Sequence, residues 1–179
     1  MLDNEFGQSK RKIRDRIRQL PNGEIEWQRC QALLYGPRIN EAKLIEGVPR
    51  FFELCRQYGL KVYVVSHKTE FSRFGTTGTN LRQSALAWMA SNGFFEREGL
   101  GLTQAHIFFA DSRQEKINRI TTLRCTDFVD DLEETFLEAT FPPSTARILY
   151  EPGRELAPPS GVMLMQTWQE ISDYFFHSN

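Results

Sequence analysis

The feature that most constrains this chain is a repeated exchange of periods. From residue 61 onward, short apolar runs alternate with stretches whose apolar residues recur every three to four positions. KVYVVS (61–66), HIFFA (106–110), TDFVDD (126–131), ARILY (146–150) and VMLMQ (162–166) read as strands, the first of them with the continuous apolar, β-branched run of a strand buried on both faces. Residues 80–93, 112–123 and 167–176 read as helices, the first closed by Gly93 and the second turning Ile117, Ile120 and Leu123 inward. Strand alternating with helix predicts the α/β class, as a doubly wound, mostly parallel sheet. Right-handed crossovers then lay helices on both faces. In such sheets ligands sit beyond the carboxyl ends of the strands, which selects the residues that follow each apolar run.

Upstream of residue 60 the pattern is helical. KRKIRDRIRQL (10–20) places Ile13, Ile17 and Leu20 on one face before Pro21-Asn22-Gly23 stops it. A second helix is expected from about residue 25 to residue 34, with Trp27, Cys30, Leu33 and Leu34 on one side and Tyr35-Gly36-Pro37 as its end. Residues 47–58 read as a third, with Val48, Phe51, Phe52 and Cys55 inward and Gly59 where a left-handed cap is expected. The expected organisation is a cap-like helical segment over 1–46 and an α/β core over 47–179. A length of 179 residues suits one domain with a small helical addition. The Pro- and Gly-rich stretch 151–161 reads as a surface loop.

Fourteen phenylalanines predict an aromatic-rich core. A net charge of −1, from 22 basic and 23 acidic residues, provides no broad attraction for nucleic acid or an anionic membrane, so neither is expected as a partner. Cys30, Cys55 and Cys125 are widely spaced and form no CxxC pair, which argues against a zinc site or redox dithiol and for reduced thiols in a cytosolic protein. The amino-terminal stretch lacks the apolar run of a secretory signal, and nothing approaches the length of a membrane span. A cytoplasmic location is expected by default. Gly75-Thr76-Thr77-Gly78 lacks the GK[ST] ending of a P-loop, and neither GxGxxG nor GxSxG occurs. His67, His106 and His177 have no metal-ligand spacing.

Three strand-end positions carry chemistry. Ser66-His67-Lys68-Thr69 puts a hydroxyl and basic groups where a phosphate is held, although Ser and Thr are also common at any strand-to-loop junction. Asp130 and Asp131 are adjacent carboxylates after a buried run, and their repulsion calls for a cation such as Mg2+. The competing role for Asp131 is a helix N-cap, with Glu134 three residues on. Lys116, near the start of the helix after HIFFA, can neutralise a phosphate or a carboxylate, or lie solvated. Asp111 is expected to cap the same helix.

In order and placement these motifs resemble the haloacid dehalogenase superfamily. VYVVSHKT is similar to its second motif, Lys116 within RQEKINRI to its third, and DFVDDLEE to its acidic fourth. LLYGPRI, VVSHKTEF and CTDFVDDLEE also look similar to a subgroup of small bacterial hydrolase-like members with a helical cap before the second motif. The resemblance runs from about residue 10 to the carboxyl terminus. It implies a Rossmann-like fold and Mg2+-dependent phosphoryl transfer to or from a small phosphorylated molecule. It further implies Ser66, His67 and Lys116 on the phosphate, Asp130 and Asp131 on Mg2+, and cap residues such as Trp27, Tyr35 and Arg38 choosing the substrate. In that family an aspartate ending the first strand attacks phosphorus and a second, two residues later, serves as acid and base.

This sequence departs from the pattern there. No apolar strand followed by DxDxT precedes residue 60, and residues 1–5 hold one aspartate without a preceding strand. The family places that strand centrally, between those matching 61–66 and 126–130. The expectations are that Met1 is an internal methionine of a longer chain, and that the complete form is a magnesium-dependent phosphomonoesterase while this chain is inactive. The alternatives are a non-catalytic binding or regulatory module that keeps the phosphate and Mg2+ site, and an unrelated doubly wound domain in which Val129-Asp130-Asp131 merely caps a helix. The strands 61–66 and 126–130 are left to pair directly, to leave a gap, or to take a strand from another molecule as a homodimer.

Overall fold

Val64–His67 (β1) pairs in parallel with Ile107–Ala110 (β2), with Ser66 opposite Phe109. Asp127–Asp130 (β3), Ala146–Tyr150 (β4) and Met163–Met165 (β5) form a second parallel sheet in that order. These elements come from a computed structural model that describes residues 10–74 and 78–177. Residues 1–5 and 75–77, singled out above, lie outside the described residues. The helices are α1 (Lys10–Arg18), α2 (Gly23–Tyr35), α3 (Val48–Gln57), α4 (Leu81–Ser91), α5 (Arg113–Thr122), the single turn α6 (Glu133–Phe136) and α7 (Trp168–Phe176). The chain is thus α/β, with parallel strands in two small open sheets.

Two apolar layers cover both sheets in common. On one side Ile117 and Ile120 of α5 pack with Val65 of β1, Phe128 of β3 and Leu149 of β4. On the other, Phe51 and Phe52 of α3 and Ile171 of α7 pack with Val64, Val129 and Ile148 of the same three strands. The inward residues alternate along each strand because successive side chains point to opposite faces. Burial of this kind stabilises by roughly 25 cal/mol per Å2 of apolar surface, and Ile120, Ile148, Leu149 and Ile171 are each 0% exposed. Beneath β3, Phe136 meets Phe141 at 5.4 Å between ring centroids and Phe128 at 6.5 Å, both edge-on. This cluster seats α6 and thereby the end of β3.

The two sheets do not join. β1 bonds to β2 and β3 to β4, and among the described residues no strand stands between β1 and β3. Strands 61–66 and 126–130 therefore do not pair directly, and within the single chain a gap separates them. β1 also begins later than the apolar run, because β2 supplies a partner only from Ile107 onward.

Local chemistry explains most helix limits. Asn80, Ser112 and Thr167 cap α4, α5 and α7 by accepting backbone N–H bonds from the first turn. Gly59, just past α3, has φ +69°, the left-handed conformation expected there. Three expectations are corrected. The buried side of α2 is Trp27 and Ala32, while Leu33, expected to face inward, is 41% exposed. Asp111 does not cap α5, since Ser112 sits in extended backbone and its Oγ takes the Glu115 N–H at 3.2 Å. Asp131 does not cap α6, whose N-cap position is Leu132 without a side-chain bond. The 151–161 loop lies at the surface as expected, with the Arg154 side chain tucked against Glu133 and Glu151 at 2.7 and 2.6 Å and donating to the Leu156 carbonyl.

Among the described residues no helix is long and apolar enough to cross a membrane. Cys55 is buried, Cys30 and Cys125 are half-buried, and none of the three is in a disulfide.

Candidate functional site

A cavity of about 780 Å3 opens where the two sheets part. Its walls are the facing edges of β1 and β3, with α2 across the mouth. Ser66, His67, Lys116, Asp130 and Asp131 all line it, although they come from three separate segments of sequence. The strand ends bring them together. β1 delivers half-buried Ser66 and exposed His67, and the Lys68 N–H continues the ladder to the Ala110 carbonyl at 2.9 Å. β3 delivers Asp130. The helix after β2 folds back over the sheet and presents Lys116 one turn from its Ser112 cap.

Lys116 and Asp130 form the polar centre of the site. The Lys116 Nζ donates to the Asp130 Oδ2 at 2.5 Å, with the side chains only 7% and 6% exposed. The Asp130 Oδ1 accepts the Leu132 N–H at 3.3 Å, and the ammonium lies 5.2 Å from the centroid of the Phe128 ring. A lysine ammonium has three donors, so the bond to Asp130 leaves two for another oxyanion. Two buried charges are expensive to desolvate, and the pair offsets that cost only while both members stay in place.

The α2 wall is polar. Glu24, Gln28, Gln31 and Tyr35 fall at i, i+4, i+7 and i+11, one stripe of the helix, and all face the cavity. The Gln28 amide donates to the Glu24 carboxylate at 3.3 Å. Partial burial pushes Glu24 up, but Arg18 and Gln28 together hold its carboxyl below the usual range. Tyr35 stacks under the Lys68 ammonium at 4.2 Å from its ring centroid, joining α2 to the end of β1. Of the three residues expected to choose the substrate, Tyr35 lines the cavity. Trp27 and Arg38 do not. Trp27 is buried in the body of α2, and Arg38 is exposed and held by Glu41 through bonds of 2.8 and 2.6 Å. Glu24, Gln28 and Gln31 were missed from sequence. Their spacing was the available signal, hidden because the helix was oriented by its apolar residues alone.

The cavity carboxylates are already engaged. Asp130 holds Lys116, Asp111 accepts from Arg82 at 2.6 Å, Glu24 meets Arg18 at 2.7 Å, and Asp131 has a partner too. Asp130 and Asp131 have the oxygen donors that Mg2+ takes. However, Lys116 neutralises Asp130, and among the described residues no group of three His, Cys, Asp or Glu side chains is arranged to hold a metal. Searches against protein-family models, curated proteins and solved structures found no significant match to this chain.

Proposed function

We propose that the cavity binds the phosphate group of a small phosphorylated molecule, on an α/β scaffold of the haloacid dehalogenase type. The observation that carries this reading is the convergence of Ser66, Lys116 and Asp130 on one cavity at the strand ends. The Lys116 ammonium has two donors beyond Asp130, the Ser66 hydroxyl adds another, and the low exposure of the pair keeps these interactions strong. His67 stands at the same strand end, where it serves an outer phosphate oxygen. Magnesium enters this reading with the ligand. Mg2+ is commonly held by one or two carboxylates plus phosphate oxygens and water, so Asp130 and Asp131 would hold it once phosphate supplies the remaining oxygens. When bound, it would offset charge on the phosphoryl group.

A scaffold of this type acts as a phosphomonoesterase when it carries a carboxylate free to attack phosphorus. Among the described residues the carboxylates on the cavity wall are all engaged. That observation favours a second reading for residues 1–179 as they stand, a phosphate-binding module without turnover.

Calorimetric titration of residues 1–179 with inorganic phosphate, with and without Mg2+, tests both. Binding is expected, tighter when both are present, and weakened about tenfold or more in Ser66→Ala and Lys116→Met. Hydrolysis of a chromogenic phosphomonoester is expected to be absent. Undetectable phosphate binding in a folded wild-type chain refutes the site. Turnover by residues 1–179 refutes the binding-only reading.

A further inference from the structure

A phosphate alone is too small for this cavity. Its phosphorus and four oxygens fill roughly 150 Å3, at about 30 Å3 per atom, the share of a water in the liquid. The cavity holds about 780 Å3. Sites that enclose a whole organic ligand have about 300–1,000 Å3. Most of the space is therefore left for the group that carries the phosphate, and the walls around it restrict what that group can be.

The α2 wall is neutral and both donates and accepts. The Gln31 carboxamide is half-buried on the cavity and bonds to no described residue. Its two N–H donors and its carbonyl are therefore open to a ligand. Gln28 lies one turn away, with one N–H on Glu24 at 3.3 Å and its carbonyl open. Glu24, the only charged member of the stripe, is paired with Arg18 at 2.7 Å. Opposite lie the apolar side chains of Val64, Val129 and Leu81.

Other ligand classes fit this wall less well. A second anion calls for a cation on the α2 stripe, which has none. A nucleobase is held by stacking on aromatic faces. Of the cavity's rings, Tyr35 already lies under the Lys68 ammonium, while Trp168 packs against Tyr150 at 5.9 Å and Phe51 at 5.2 Å. An alkyl group would exclude water and leave the two carboxamides without partners, a mismatch that polar sites reject strongly. A hydroxyl both donates and accepts, as the carboxamides do. On the footing of the phosphate site above, we propose that the ligand is a phosphate ester of a neutral, polyhydroxylated group, a sugar or polyol. Its hydroxyls bond to Gln28 and Gln31, and its C–H face lies on the valines.

Calorimetric titration of residues 1–179 with Mg2+ present tests this. The four probes are inorganic phosphate, D-glucose 6-phosphate, n-hexyl phosphate and 3-phosphoglycerate. D-Glucose 6-phosphate is expected to bind about tenfold or more tighter than each of the others, the equivalent of one or two good hydrogen bonds. Gln31→Leu should weaken D-glucose 6-phosphate about tenfold more than it weakens inorganic phosphate. Undetectable binding of every probe would remove the phosphate site, and the sugar or polyol with it. The remaining adverse outcomes leave the phosphate site standing and overturn only the present proposal. They are n-hexyl phosphate binding as tightly as D-glucose 6-phosphate, 3-phosphoglycerate binding more tightly, which would assign the wall to a second anion, and Gln31→Leu weakening both phosphates equally or neither.

Discussion

Replacing Lys116 by methionine keeps the length of the side chain and removes its charge. Asp130, 8% exposed, would be left with the Leu132 N–H at 3.3 Å as its remaining hydrogen bond of known length. Breaking a buried ion pair from one side destabilises by about 3–5 kcal/mol, because the surviving charge is desolvated without compensation. Domains of this size have only about 5–15 kcal/mol in total, and each kcal/mol moves the midpoint by about 2–4 °C at this length. Lys116→Met should therefore lower Tm by roughly 6–20 °C. Asp130→Asn should act similarly by stranding the ammonium. The double variant removes both charges and should recover most of the loss, since neutral replacement of a buried pair is often nearly neutral in stability. Urea unfolding at pH 7 followed by tryptophan fluorescence, run as a double-mutant cycle, measures the coupling. A loss below about 1 kcal/mol for Lys116→Met, or additive losses in the double variant, would refute the claim that this pair is desolvated and coupled. Phosphate affinity gives a second readout. It should stay low in the double variant even as stability returns, because the donors to the oxyanion are gone.

Three further outcomes follow from the packing. Phe136, 1% exposed among Phe128 and Phe141, should lose about 3–5 kcal/mol on replacement by alanine, read as a lower urea midpoint with unchanged slope. Gly47 has φ +85°, and an added Cβ would lie 2.8 Å from the Trp168 Cβ, so Gly47→Ala should lower stability by about 1–3 kcal/mol or more, and a thermal midpoint equal to wild type would contradict this. Burial raises the Cys55 thiol from 9.0 to about 11. The folded state therefore holds the proton more tightly than the unfolded state. The resulting stability is complete below pH 9 and is lost between about pH 9 and 11, by up to about 3 kcal/mol. Cys55→Ala should flatten that part of the alkaline profile, and an unchanged slope would show that the thiol does not contribute.

Much of the fold was legible because its signals are local. The run at 106–110 cannot reach helical length, and Ser112, Thr167 and Gly59 end or begin helices through bonds and backbone angles within a few residues of themselves. Candidate site residues were legible through one added rule, that parallel strands gather ligands at their carboxyl ends. Ser66, Lys116 and Asp130 were selected by that rule from separate parts of the chain. What failed were choices among nearby groups. Asp111 and Ser112 compete for one cap, and Arg82, distant in sequence, takes the carboxylate. In α2 the apolar residues suggested one orientation, but the stripe from Glu24 to Tyr35 faces the cavity because the strand ends across from it are polar.

The sequence by itself determined where strands and helices form and which side chains stand at strand ends, since period, caps and β-branching act over a few neighbouring residues. Only the tertiary structure decided that Lys116 and Asp130, fourteen residues apart, neutralise each other out of water, and that β1 and β3 face one another across an open slot. Both depend on how far apart packed elements come to rest, a distance set by the whole core at once.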